Sequence, residues 1–181
     1  MSSGETEQGA QERALLPAAT RTTRILRWLF VVVILLYAAG VSSQWRFQRD
    51  SALYMSLARS MVEGRGYSFN YEPHTNYTPG FPLLLAANGK VFGLPYALSD
   101  SFLAYNLMVS LFGLGCISFF YCILCRLDLP PPVLAAAFLF FALSRTLYYY
   151  SVHIMTDVPF TFFALAALLL GLLMARWSGP R

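Results

Sequence analysis

Charge is what this sequence has least of. Only 12% of its 181 residues are Asp, Glu, Lys or Arg, against 57% apolar residues, and such figures exclude an ordinary soluble domain. The formal net charge of +4 therefore bears on membrane topology and lipid headgroups, and no nucleic-acid partner is expected. Cysteine is sparse too, with three residues. Cys116, Cys122 and Cys125 all fall in one apolar run. Cys122 and Cys125 have the two-residue spacing of a redox or metal pair, but without a second pair or a neighbouring histidine they read as packing residues.

What the sequence does have is apolar runs. They predict an all-α, polytopic membrane helix bundle with four transmembrane helices at about 25–43, 101–126, 133–150 and 158–175, each near the ~20 residues a bilayer requires. Residues 1–24 lack apolar periodicity and read as a disordered cytoplasmic tail, and 177–181 as a second tail. The long lead-in and the later spans favour an anchor over a signal peptide cleaved near Ala38 or Gly40. Leu83 to Pro95 is too short for a span and fits a re-entrant or interfacial segment. Ser99 or Asp100 is expected to cap the second span, and Tyr148-Tyr149-Tyr150 to close the third as an interfacial belt.

Four spans put Arg21, Arg24, Arg27, Arg126, Arg176 and Arg181 on the cytoplasmic side, as the positive-inside rule asks. The loop 44–100 then lies on the outer face, with both termini in the cytoplasm. That loop carries Arg46, Arg49, Arg59, Arg65 and Lys90, an outer cation load that binding of an anionic headgroup or phosphate would explain. In a bacterial host the membrane would be the plasma membrane.

Within the loop, Leu53, Tyr54, Leu57, Ala58 and Met61 recur at three- and four-residue steps. This spacing predicts an amphipathic juxtamembrane helix from Asp50 to Glu63, capped by Asp50 or Ser51 and stopped by Gly64 and Gly66. The two prolines of Thr78-Pro79-Gly80-Phe81-Pro82 are expected to break any helix there.

Two acids fall at one membrane face: Asp50 after the first span and Asp157 at the mouth of the fourth. Each alone suits a helix start. As a pair they suit general-base catalysis, or a divalent cation such as Mg, Mn or Zn held through oxygen ligands. His74 reads either as an acid, base or ligand or as a solvated loop residue. Arg145, inside the third apolar run, needs a partner, either a lipid phosphate or the interface beside Tyr148. Tyr67, Phe69, Tyr71 and Tyr77 either stack on a sugar or hold the loop against lipid. Asn76-Tyr77-Thr78 fits a glycosylation sequon, but Pro79 right after it argues against its use.

The order of these features carries a resemblance. A span, then D-x-x-x-Y at Asp50–Tyr54, then T-P-G-F-P-L-L-L-A at Thr78–Ala86, then M-T-D-V-P-F at Met155–Phe160 resembles the N-terminal part of GT-C membrane glycosyltransferases. The likeness is to their protein O-mannosyltransferase and lipid A aminoarabinose transferase branch, over residues 25 to 175. It implies sugar transfer from a polyprenyl-phosphate donor to a protein, lipid or glycan acceptor on the outer face, with Asp50 as the catalytic base. It also implies Asp157 in metal or substrate binding. Relatives often carry a second acid beside the first, where this chain has Arg49 and Ser51. Arg49, Tyr54, Arg65, His74, Lys90 and Arg145 are the expected substrate-binding residues, the cations meeting the leaving phosphate.

The resemblance leads one to expect more spans than this sequence holds. The chain is expected to be the front module of such an enzyme or a truncated, inactive relative. The alternative is a non-catalytic four-span assembly or lipid-binding subunit, suggested by the small residues Gly113, Gly115 and Ser118.

Overall fold

The structure, a computed structural model, describes residues 24–46, 48–95, 100–127 and 129–177. Residues 1–23 and 178–181 of the expected tails, with Ser99, lie outside the described residues, whereas Arg24 and Trp177 are helical. Those residues form seven α-helices and one short hairpin. Helix α1 covers 24–40. It is followed by α2 (Arg49–Val62), the strands β1 (Ser68–Phe69) and β2 (Glu72–Pro73), and α3 (Gly80–Phe92). Then come α4 (Leu103–Leu124), α5 (Pro131–Ala142), α6 (Arg145–Ser151) and α7 (Asp157–Trp177).

Helix α4, and α7 over Asp157–Ala175, are long and apolar enough to cross a membrane. The pair α5 and α6 makes a third candidate if its two pieces count as one span. This is consistent with an integral membrane protein. Only 11% of the apolar stretch of α7 is buried, against 39% of that of α4, so α4 is the central post and α7 an outer one.

The expected continuous helix at 133–150 is broken. Helices α5 and α6 meet at a bend of 45°, because Ser144 restarts the helix and its side chain accepts from the Leu147 N–H. The Ala142 carbonyl, orphaned by the break, accepts a hydrogen bond from the buried Tyr37 hydroxyl at 3.1 Å. Arg145 therefore stands exposed at the first turn of α6, just past the bend. Gly113 and Gly115 allow close helix packing as expected, and the helices they admit belong to this chain. An added Cβ would meet Ser151 at the first and Phe162 at the second.

Two cores share α4. The larger joins Val33 and Tyr37 of α1 to Cys116 and Ile117 of α4, Phe138 of α5 and Val158 of α7. The other packs Tyr54 and Ala58 of α2 against Leu85 of α3 and Tyr105 and Val109 of α4. Cys116 is buried as expected, whereas Cys122 and Cys125 face outward as free thiols, since α4 turns that side away from its neighbours.

Asn106 of α4 links the cores to the α1–α2 connection. Its buried amide donates to the Ser42 and Gln44 carbonyls at 2.7 and 2.9 Å, and Phe102 donates to the Ser43 carbonyl at 2.8 Å. Loop carbonyls met this way cost little to bury. The connection is thus fixed, and the start of α2 with it. Neither Asp50 nor Ser51 is the cap there. Gln48 is, in a capping box whose other half is the Ser51 hydroxyl, accepting from the Gln48 N–H at 3.0 Å. The far end matches expectation: Gly64 takes φ 79°, and Gly64 and Arg65 donate back to the Met61 and Ser60 carbonyls, a Schellman motif.

Two other boundaries differ from expectation. Helix α3 starts at Gly80, so Pro82 lies inside its first turn, where the missing N–H has no helical partner to lose. At α4 no side chain caps the end residue; the Ser101 hydroxyl takes the Leu103 N–H at 3.4 Å. The hairpin turn places Asn70 and Tyr71 at φ 52° and 69°. Asparagine tolerates this, but tyrosine pays ~1–2 kcal/mol in the left-handed region.

Candidate functional site

Tyr54 lies at the centre of the site. Helix α2 buries it on the face that packs on α3, and its ring meets Tyr77 and Phe81 edge-on, at 5.6 and 5.4 Å between centroids. Its hydroxyl lies 3.5 Å from Thr156 Oγ1, in the turn before α7.

A cavity of about 700 Å³ opens beside it. The three stretches that carry the sequence resemblance all contribute to its walls. Tyr54 comes from the first, Thr78, Gly80 and Phe81 from the second, and Thr156, Asp157 and Phe160 from the third. The walls are mixed: Asp157, Thr156, Thr78 and the tyrosine hydroxyls are polar, whereas Phe81, Leu84, Phe160 and Phe163 are not. Such a cavity suits a ligand with a polar end and an apolar end.

Asp50 does not line the cavity. It stands one helical turn before Tyr54, on the same face of α2. Burial pushes the Tyr54 phenol above its ordinary 10.0, the Thr156 contact opposes this, and the charges of Asp50, Tyr77 and Asp157 reinforce it. Both carboxylates thus act on one hydroxyl, although only Asp157 faces the void.

His74 is not a solvated loop residue. It stacks on Tyr77 at 5.6 Å and 10° between planes, and meets Tyr67 edge-on at 5.7 Å. The Tyr67 hydroxyl donates to the Tyr77 carbonyl at 2.9 Å, and burial raises the Tyr67 phenol as well. His74 Nε2 is buried without a hydrogen-bond partner. The imidazole therefore braces the wall that Tyr77 presents.

The expected cations do not reach the cavity. Arg49, Arg65, Lys90 and Arg145 are all exposed, and none is a lining residue. Arg65 is paired with Glu63, Lys90 sits in the last turn of α3, at the end away from the void, and Arg145 belongs to α6. In their place two helix starts face the cavity. Gly80 and Phe81 open α3, and Asp157 and Val158 open α7. First-turn amides without helical acceptors carry partial positive charge.

Among the described residues no three His, Cys, Asp or Glu side chains gather as a metal site. A divalent cation at Asp157 and Asp50 would draw most of its ligands from water or from a substrate phosphate.

Sequence reasoning passed over Thr156, Leu84, Phe160 and Phe163. Thr156 and Phe160 sit inside a quoted motif, and Phe160 and Phe163 share a helix face by their spacing. Leu84 shows no local signal that separates it from its apolar neighbours. No protein-family model, no curated protein and no solved structure matches this chain.

Proposed function

We propose that this chain is a membrane glycosyltransferase, or the N-terminal module of one. It would take a sugar from a polyprenyl-phosphate donor and pass it to an acceptor hydroxyl of a protein, lipid or glycan on the outer face of the membrane. The observation that carries this reading is the convergence of D-x-x-x-Y, T-P-G-F-P and M-T-D-V-P-F on one amphipathic cavity. Nothing in the local sequence requires segments about a hundred residues apart to share a wall.

In this reading α1, α4, the bent α5–α6 pair and α7 are four spans with both chain ends in the cytoplasm. Support comes from the contact of Tyr54 with Thr156 and of Gln48 with Tyr149. These contacts bring the α1–α2 and α6–α7 connections to one end of the bundle. Arg24 and Arg27 in the first turn of α1 and Arg126 after α4 then fall at the other end.

Asp50 acts as general base. It takes the proton from the acceptor hydroxyl, the freed oxygen bonds to the anomeric carbon, and the bond from that carbon to the phosphate oxygen breaks with its electron pair. The leaving phosphate carries the new charge. The Gly80 and Phe81 amides meet it, and Gly80 has no side chain to keep it at a distance. Asp157 orients the acceptor or a cation bridging to the phosphate. Phe81, Leu84 and Phe163 receive the first isoprene units of the donor.

The test is Asp50→Asn in the protein as it occurs in its membrane, assayed with radiolabelled polyprenyl-phosphate mannose. Transfer should fall ~100-fold or more, with insertion and melting unchanged. Undiminished transfer overturns the assignment of the base.

A further inference from the structure

The side of α2 opposite Tyr54 carries a second, smaller hollow. Arg59 and Ser60 follow Ser56 by three and four residues. At ~100° per residue Ser56 and Arg59 stand about 120–180° from Asp50 and Tyr54, with Ser60 toward the edge between the two sides. Arg65, Ser68 and the hairpin turn Asn70-Tyr71 close over them, leaving about 190 Å³. Organic ligands occupy pockets of ~300–1,000 Å³. This one suits a single small group.

Its lining is made of donors. Arg59, Arg65, Ser56, Ser60, Ser68, Asn70 and Tyr71 line it, all of which carry donors, and no carboxylate is among its lining residues. Guanidinium forks backed by hydroxyls match the oxygens of phosphate. The donors are also held in place. Arg59 donates to the Pro95 carbonyl at 2.7 Å, and the Ser60 and Ser68 hydroxyls share a hydrogen bond of 2.6 Å. The Arg65 guanidinium lies 5.3 Å over the Tyr71 ring.

That ring is there because Tyr71 accepts φ 69° in a two-residue turn, where hairpins ordinarily take glycine. Strained residues cluster at ligand clamps and switch regions, and this one sits at the rim of a basic hollow. The strain puts an aromatic face under Arg65.

We propose that this hollow binds a phosphate group, carried by an anionic lipid headgroup or by a free phosphate. It is separate from the cavity beside Tyr54 and does not depend on the transfer reaction. Glu63, paired with Arg65 outside the lining, competes with the ligand for the same guanidinium.

The full chain in phosphatidylcholine nanodiscs is titrated with inorganic phosphate, and compared with the same protein in nanodiscs containing phosphatidylglycerol. Melting temperature is the readout. Stabilisation by inorganic phosphate assigns a free phosphate, and stabilisation by phosphatidylglycerol alone assigns a headgroup. In either arm Arg65→Gln should weaken the apparent affinity about tenfold or more. Asn70→Asp, which keeps the left-handed turn, should do the same by placing a carboxylate in the lining. Glu63→Gln should strengthen it several-fold. No stabilisation in either arm, or one that both Arg65→Gln and Asn70→Asp leave intact, overturns the proposal.

Discussion

The Tyr54 hydroxyl and Thr156 Oγ1 lie 3.5 Å apart across 102 residues of sequence. This contact joins the helix after the first apolar run to the turn before the last one. Because Asp50 is one turn from Tyr54 and Asp157 follows Thr156, the same contact brings both acids to a single hydroxyl.

Tyr54 should titrate late. Its phenol is raised above 10.0, so the neutral form is favoured in the fold. The stability this represents is fully present below the ordinary pKa and is lost as pH rises through the raised one. Absorbance titration at alkaline pH should lose one of its late-titrating tyrosines in Tyr54→Phe, and that component should move back toward 10 in Asp50→Asn or Asp157→Asn. An unmoved titration in both acid variants would mean that neither charge acts on Tyr54.

Asp157→Asn should lower sugar transfer ~10- to 100-fold, less than Asp50→Asn, since it removes an orienting group and not the proton acceptor. The comparison is made with the same radiolabelled donor. An Asp157→Asn loss that exceeds the Asp50→Asn loss would exchange the two roles.

Gly113→Ala should destabilise the bundle by ~1–3 kcal/mol, because the new Cβ meets Ser151 Oγ and comes within 2.7 Å of Ser151 Cβ. Gly171→Ala, with nothing within 4 Å, should be neutral or stabilising by up to ~1 kcal/mol. Denaturation of the two variants in mixed micelles checks the pair. Equal effects would contradict the close approach of α4 to α6.

Tyr37→Phe should cost ~0.5–1.5 kcal/mol, since it strips the Ala142 carbonyl of its donor at 3.1 Å. Spin labels placed on α5 and α6 should also report a bend less sharply defined than 45°. A variant with wild-type stability would show that water or lipid headgroups satisfy that carbonyl instead.

Much of the fold is legible locally. Hydropathy runs foretell α4 and α7, the step pattern of Leu53 to Met61 foretells α2, and Gly64 foretells where it stops. The break at Ser144 is not legible, because its orphaned carbonyl is met by Tyr37, whose distance in sequence is 105. The site shows the same division. Asp50, Tyr54 and Asp157 stand out by type and position, whereas the cations beside them do not reach the cavity and Leu84 and Phe163 do.

The sequence alone determined which segments seek an apolar environment and which residues can exchange a proton, since both are properties of a side chain and its near neighbours. Only the tertiary structure decided which of those residues share a wall. A cavity depends on how α2, α3 and α7 pack, and packing is set by contacts that no local pattern records.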